Sequence, residues 1–200
     1  IVSIADSMDK GSVEITFAMM QETDLSTFNN SWYKPGNPFK RLIWYVVNLL
    51  VFKNPLFVFI APKLLLLRWF GAKIGSGVVI KPAVNIKYPW FLSIGNNTWI
   101  GEGVWIDNLD QITIGKNCCV SQGALLLSGN HNYKRSAFDL ILKPITLEDG
   151  VWIGANAAVT QGVRCKSHSL LVVGSVASAN LEAYTIYRGN PAVAVKELSL

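Results

Sequence analysis

The sequence predicts an all-β solenoid, a parallel β-helix, and three regularities carry that prediction. The first is an aliphatic residue every six positions from Ile74 onward. The series runs Ile74, Ile80, Ile86, Ile94, Ile100, Ile106, Ile114, Val120 and Leu126. After a gap it resumes at Leu147, Ile153, Val159, Cys165, Leu171 and Ala177. The second is a small or β-branched residue four positions after the anchor, as at Val78, Val84, Thr98, Cys118, Ala157, Ser169 and Ser175. The third is a Gly or Asn three positions after it, as at Gly77, Asn97, Gly103, Asn117, Gly150, Asn156 and Asn180.

Each regularity has a physical reading. Side chains alternate across a strand, so the anchor and the small residue both point inward. Gly and Asn enter the left-handed backbone region at low cost, so the third position turns a corner. A hexad is then a short strand plus a corner, and three hexads close a triangular coil. His168 stands in a corner slot. His is among the residues enriched at positive φ, so His168 reads as a corner residue and not as a base.

The breaks in the period are informative too. Ile86 to Ile94 and Ile106 to Ile114 are each eight residues apart, and Leu126 to Leu147 is twenty-one. All three breaks fall in the third hexad of a coil, so they leave the solenoid at one corner. A long excursion is expected over 128–144. A solenoid with one long loop usually places its function there. This loop opens with Ser128-Gly129-Asn130-His131-Asn132-Tyr133.

The solenoid is expected over 74–181, followed by a short C-terminal tail or helix over 182–200. An irregular extension is expected over 1–24, with no basic segment leading into an apolar core of the signal-peptide kind. Between them, 25–73 is hydrophobic. Lys53, Lys63 and Arg68, with Pro55 and Pro62, interrupt it. Its longest uncharged run, Leu42 to Phe52, falls short of the roughly 20 residues a bilayer requires. Two roles fit. Trp44, Tyr45 and Trp69 among basic residues suit a peripheral membrane contact through 40–70. The same segment could instead cap the open end of the solenoid.

The formal charge of +5 is modest and dispersed. It suits an anionic ligand or an acidic membrane face, not nucleic acid. Three Cys give no disulfide framework. Cys118 and Cys165 occupy inward slots, Cys119 an outward one. No Cys and His cluster has metal-ligand spacing, so no metal is expected.

The hexads, the loop His131, Gly150-Val151-Trp152-Ile153-Gly154-Ala155 and the late Gly189-Asn190-Pro191-Ala192 resemble the hexapeptide-repeat acyltransferases, in their sugar O-acetyltransferase branch. Asn30-Ser31-Trp32-Tyr33-Lys34-Pro35-Gly36 and the hydrophobic stretch after it resemble the colanic-acid and exopolysaccharide acetyltransferases more narrowly. The resemblance spans about Leu25 to Lys196. It implies a left-handed helix, an exception to the usual handedness of parallel β connections. It also implies a homotrimer, acetyl-CoA as donor, a sugar or polysaccharide acceptor and a cytoplasmic location, at the inner membrane face if 40–70 docks there.

The resemblance makes His131 the general base. An imidazole near neutral pH can take the hydroxyl proton and return it to the leaving thiolate. Asp107, Asn108, Asn130, Asn132 and Tyr133 are acceptor-binding candidates, with Trp90 and Trp105 as further sugar-stacking candidates. The stretch Gly101-Glu102-Gly103 lacks an Asn common in that branch. Trp152, Ala155, Val173 and Ser178 align with the pantetheine groove, and Arg188 and Lys196 are candidates for the CoA phosphates. Val172-Val173-Gly174-Ser175 and Ser178-Ala179 depart from the usual groove residues, and the second lacks a Lys. N-acylation of an amino-sugar nucleotide and a non-catalytic binding solenoid are the alternatives. Flat, regular Thr arrays and no excursion loop would mark the latter, and the chain has the loop and few such Thr. A hexad carbonic anhydrase needs three His per site, and the chain has two.

Overall fold

The computed structural model describes residues 22–199. The extension expected over 1–24 lies outside them as far as residue 21. The described residues form two compact units, 34–130 with 141–199, and 22–33 with 131–140.

The larger unit is the solenoid and its N-terminal segment. Its strands form three sheets, one per side of the coil, parallel throughout except for the last C-terminal strand. The first side stacks Lys73–Ile74, Leu92–Ile94, Ile112–Ile114, Ile145–Leu147 and Arg164–Cys165. The second stacks Val79–Ile80, Trp99–Ile100, Cys119–Val120, Trp152–Ile153 and Leu170–Leu171, then the C-terminal strands. The third stacks Asn85–Ile86, Trp105–Asp107, Leu125–Leu127, Ala158–Val159 and Val176–Ala177. Register places anchor on anchor, Ile74 beside Ile94 and Ile94 beside Ile114. The anchors thus make three internal columns, and Ile80, Ile100, Val120, Ile153 and Leu171 in one column have no exposed surface. Each such side chain contributes about 1.5–3 kcal/mol by leaving water.

The corners behave as the hexad requires. Asn97, Asn117, Asn156 and His168 hold φ between 53° and 57°. Ala83, not foreseen as a corner, holds 57°. Asn180 is a correction: it is not among the positive-φ residues, and its Oδ1 instead accepts a hydrogen bond from Arg164 N at 2.8 Å. A second correction concerns 182–200. Among its described residues, Thr185–Gly189 pairs with Ala192–Glu197 as a β-hairpin that adds two strands to the second side.

The hydrophobic segment caps the first coil. Asn37 accepts from Phe39 N at 2.8 Å and Pro38 occupies the first turn, which starts helix α1, Pro38–Val47. A π-turn, Asn48–Phe52, follows, and helix α2 spans Ile60–Trp69. Ile74, Ile80 and Ile86 aim backbone groups away from the second coil. Each meets a different cap side chain. Arg68 donates to Ile74 O at 3.3 Å. Lys63 donates to Ile80 O at 3.4 Å and Lys81 O at 3.0 Å. Trp44 Nε1 donates to Ile86 O at 2.9 Å, and Asn48 Oδ1 accepts from Ile86 N at 3.3 Å. Lys63 is wholly buried, and desolvation pulls its pKa below the ordinary ammonium range. Among the described residues no helix is long and apolar enough to cross a membrane. The outer surface of the cap nevertheless exposes Phe39, Leu42, Leu50, Leu56, Leu65 and Trp69.

Candidate active site

The excursion starts from a fixed base in the larger unit. Ser128 is fully buried, its Oγ donating to Asp107 O at 2.9 Å and accepting from Asp110 N at 3.0 Å. This hydroxyl ties the insertion of the second coil to the departure point in the third. At Gly129 a Cβ would stand 2.6 Å from Leu109 Cδ1, so a larger residue here would displace the Leu109 side chain. A two-stranded sheet of Gly129–His131 and Leu140–Leu142 carries the chain out and back.

His131 belongs to the smaller unit. Its Nδ1 lies 2.8 Å from Phe138 O. A carbonyl can only accept, so the proton of this bond sits on Nδ1, and the neutral ring then carries its basic lone pair on Nε2. The imidazole stacks on the Phe138 ring at 4.5 Å and 6°, and the Phe28 ring packs at 5.6 Å. Phe138 adopts φ 51°, which turns its carbonyl and its ring toward the same histidine. The loop is braced by Asn132 N donating to Asp139 O at 2.8 Å and by the Arg135–Asp139 ion pair at 2.9 Å. Asp24 N donates to Ser136 O at 2.9 Å and bonds the N-terminal segment of this unit to the loop. Phe28 and Phe138, neither singled out in the sequence, are the residues that hold the His131 ring. A positive-φ Phe leaves no sequence signal.

The acceptor candidates divide. Asn130 and Tyr133 are exposed. Asn132 Oδ1 accepts from Lys134 N at 3.1 Å and so shapes the turn. Asp107 is half-buried in the larger unit. Burial raises its carboxyl pKa, and the Lys87 ammonium partly opposes the rise. Asn108 is corrected. It has no exposed surface, and both ends of its amide are bonded to the backbone of Tyr88. That assigns it to joining successive insertions and leaves it nothing for a sugar. Trp90 is corrected likewise: its Nε1 donates to Pro35 O at 3.0 Å and Lys40 Nζ lies 4.6 Å above its ring.

The donor candidates lie in the larger unit, mostly along the second side. Trp152, half exposed, stands in register with Leu170, which pairs with Ile186, which pairs with Lys196. Ala155 and Val173 sit one coil apart at the next corner, Gly174 N donating to Ala155 O at 2.9 Å. At Gly154 a Cβ would meet Val173 N at 2.6 Å, so the two coils approach closely there. Arg188 is exposed on the terminal hairpin. Ser178 is not brought to this edge; it follows the third side, after Val176–Ala177. Burial pushes the Cys118 thiol up to about 11 and the Cys165 thiol up to about 12, so both are protonated packing residues. Among the described residues no group of His, Cys, Asp and Glu could hold a metal ion.

No family model matches the chain. It is 35% identical over 175 residues to the colanic acid biosynthesis acetyltransferase WcaF of Escherichia coli (strain K12), covering 87% of this chain and 96% of that one. A solved hexapeptide-repeat acetyltransferase from Vibrio cholerae O1 biovar eltor, complexed with acetyl-CoA, matches with a TM-score of 0.72 and 25% identity, over 80% of this chain and 88% of that one. The maltose O-acetyltransferase of Clostridium difficile 630 shares the fold, with a TM-score of 0.69 and 20% identity, over 81% and 88% of the two chains. With five stacked coils of hexads, this chain belongs to the hexapeptide-repeat acetyltransferases, in the branch of the colanic acid biosynthesis enzymes, and its solenoid is their left-handed parallel β-helix.

Proposed function

We propose that the chain moves an acetyl group from acetyl-CoA to a sugar hydroxyl in exopolysaccharide or surface-polysaccharide biosynthesis, with His131 as general base. The observation that carries this reading is the hydrogen bond from His131 Nδ1 to Phe138 O, which puts the lone pair on Nε2. Nε2 takes the proton as the hydroxyl oxygen attacks the thioester carbonyl. The tetrahedral intermediate collapses, the carbon–sulfur bond breaks, and the imidazolium returns the proton to the CoA thiolate. No covalent enzyme intermediate is required.

The named relative supports the acceptor class, and the acetyl-CoA complex of the Vibrio cholerae protein supports the donor. In this reading pantetheine runs along Trp152, Ala155 and Val173. Arg188 and Lys196 take the CoA phosphates. Ser178 contributes from the far side of a groove completed by a neighbouring copy in a homotrimer. Asp107, Asn130, Asn132 and Tyr133 meet the acceptor. The cap, with its exposed Leu50, Leu56 and Trp69, rests on the inner face of a membrane where a lipid-borne saccharide would be presented.

The test is thiol release from acetyl-CoA with a panel of sugars, one of them an amino-sugar nucleotide to separate O- from N-acetylation. Removing a general base costs roughly 10²–10⁴ in rate, so His131→Gln should lose that much. Unchanged turnover in His131→Gln overturns the mechanism. A monomer by sedimentation overturns the shared donor groove.

A further inference from the structure

A groove of about 380 Å³ opens where helix α1 and the π-turn cross the third side of the first two coils. Arg41 and Lys53 reach it from the cap, and Lys87 reaches it from the first insertion. Tyr45, Tyr88 and Trp105 form its walls. Three cations in one aromatic-walled cleft call for an anion.

The Arg41 guanidinium supplies an independent observation. Its Nε is buried and has no hydrogen-bond partner among the described residues. A buried N–H left unmet is costly, and more so when it is charged. A guanidinium fork matches phosphate oxygens two at a time. Among the described residues neither Arg41 nor Lys53 joins an ion pair. Lys87 has an acidic neighbour, Asp107, whose pKa burial raises despite it.

The rim identifies the kind of anion. Leu42 and Leu49 line the groove and are exposed, as is Tyr45 at 65%. The apolar surface continues over Leu50 and Phe39. A free sugar phosphate would leave this surface in water. An amphiphile would place its phosphate in the groove and its hydrocarbon along the helix.

We propose that this groove binds the phosphate headgroup of an anionic amphiphile, with Arg41, Lys53 and Lys87 as its cations and the exposed face of the cap beside its hydrocarbon. The proposal rests on the reading of the cap as an interfacial segment and gives that contact its specificity.

The test is co-sedimentation of the full chain with phosphatidylcholine vesicles, with and without phosphatidylglycerol, alongside calorimetric titration with inorganic pyrophosphate. Wild type should bind the anionic vesicles and not the neutral ones. Arg41→Gln and Lys87→Gln should each weaken that binding about fivefold, the value of one surface cation at a membrane. Lys73→Gln, a cation outside the groove, is the comparison, and thermal melts confirm that each variant is folded. Equal losses in Arg41→Gln and Lys73→Gln overturn the groove while leaving the interfacial reading intact. Absence of wild-type binding to every vesicle overturns both. Pyrophosphate binding lost in Arg41→Gln, without vesicle binding, overturns the lipid and points to a soluble phosphate.

Discussion

Trp44 Nε1 donates to Ile86 O at 2.9 Å, and this bond closes the third side of the first coil. Arg68 and Lys63 do the same for Ile74 and Ile80 on the other two sides. An uncovered terminal coil would present a row of unpaired strand groups, a template for joining another chain. Trp44 also packs against Phe52 and Phe70, with both ring centroids at 5.1 Å. Trp44→Phe keeps most of that packing and removes the donor. It should cost about 1–3 kcal/mol in urea unfolding, the value of an unmet buried carbonyl. Trp44→Ala should cost about 3–5 kcal/mol and make the protein aggregate on partial unfolding. A Trp44→Phe midpoint equal to wild type would show that the bond contributes nothing.

Phe138 supplies both the carbonyl and the stacked ring that hold His131. Phe138→Gly retains the carbonyl, relieves the positive φ and deletes the ring. The imidazole should then sample several orientations, and small misplacements of a catalytic group cost up to about 10²-fold in rate. Turnover should fall by up to that factor while the KM for acetyl-CoA and the thermal midpoint stay close to wild type. A large loss of stability with an equal loss in every kinetic parameter would make Phe138 a structural residue only.

The solenoid was legible because its signal is local and repeated. Ile80, Ile100 and Val120 announce one another through spacing alone. The cap was legible only as one of two options. Lys63 and Asn48 look like surface interruptions of an apolar run, and their burial follows from backbone groups 17 and 38 residues away. The same distance effect hid Asn108, whose partner Tyr88 lies 20 residues earlier. It also hid Trp90, claimed by Pro35. The C-terminal hairpin did leave a signal. Gly189-Asn190-Pro191 is a turn cluster between two short runs that contain Thr, Ile, Tyr and Val, which marks a hairpin turn. At the site, His131 stood out because it broke the period. Phe28 and Phe138 did not, because an aromatic residue in a loop has no spacing to read.

His168 holds φ 57° at a corner and stacks on Tyr184 with ring centroids 4.9 Å apart. A β-branched residue in that backbone region costs roughly 1–3 kcal/mol. His168→Asn should therefore melt near wild type and turn over normally. His168→Val should unfold at lower urea, by about that energy, and still turn over at a temperature where it is folded. Loss of activity in a folded His168→Asn would show that His168 serves the reaction and is more than a corner residue.

Cys165 and Cys118 couple the core to alkaline pH. Burial raises their pKa values to about 12 and about 11, above the value near 8.5 of a thiol in an unfolded chain. Below that unfolded value both states hold the proton, and the stabilisation is fully present. As pH climbs through the window between the two values, the unfolded thiols ionise and the folded ones do not. Stability then falls by about 1.4 kcal/mol per pH unit for each thiol. The urea midpoint should decline from pH 9 toward pH 11, and Cys165→Val should decline less steeply. Because the thiolate is the species that reacts, iodoacetamide at pH 8 should label the folded chain only at the half-buried, outward Cys119. In urea it should label all three Cys. Rapid labelling of two or more thiols in the folded protein would contradict the inward placement of Cys118 and Cys165.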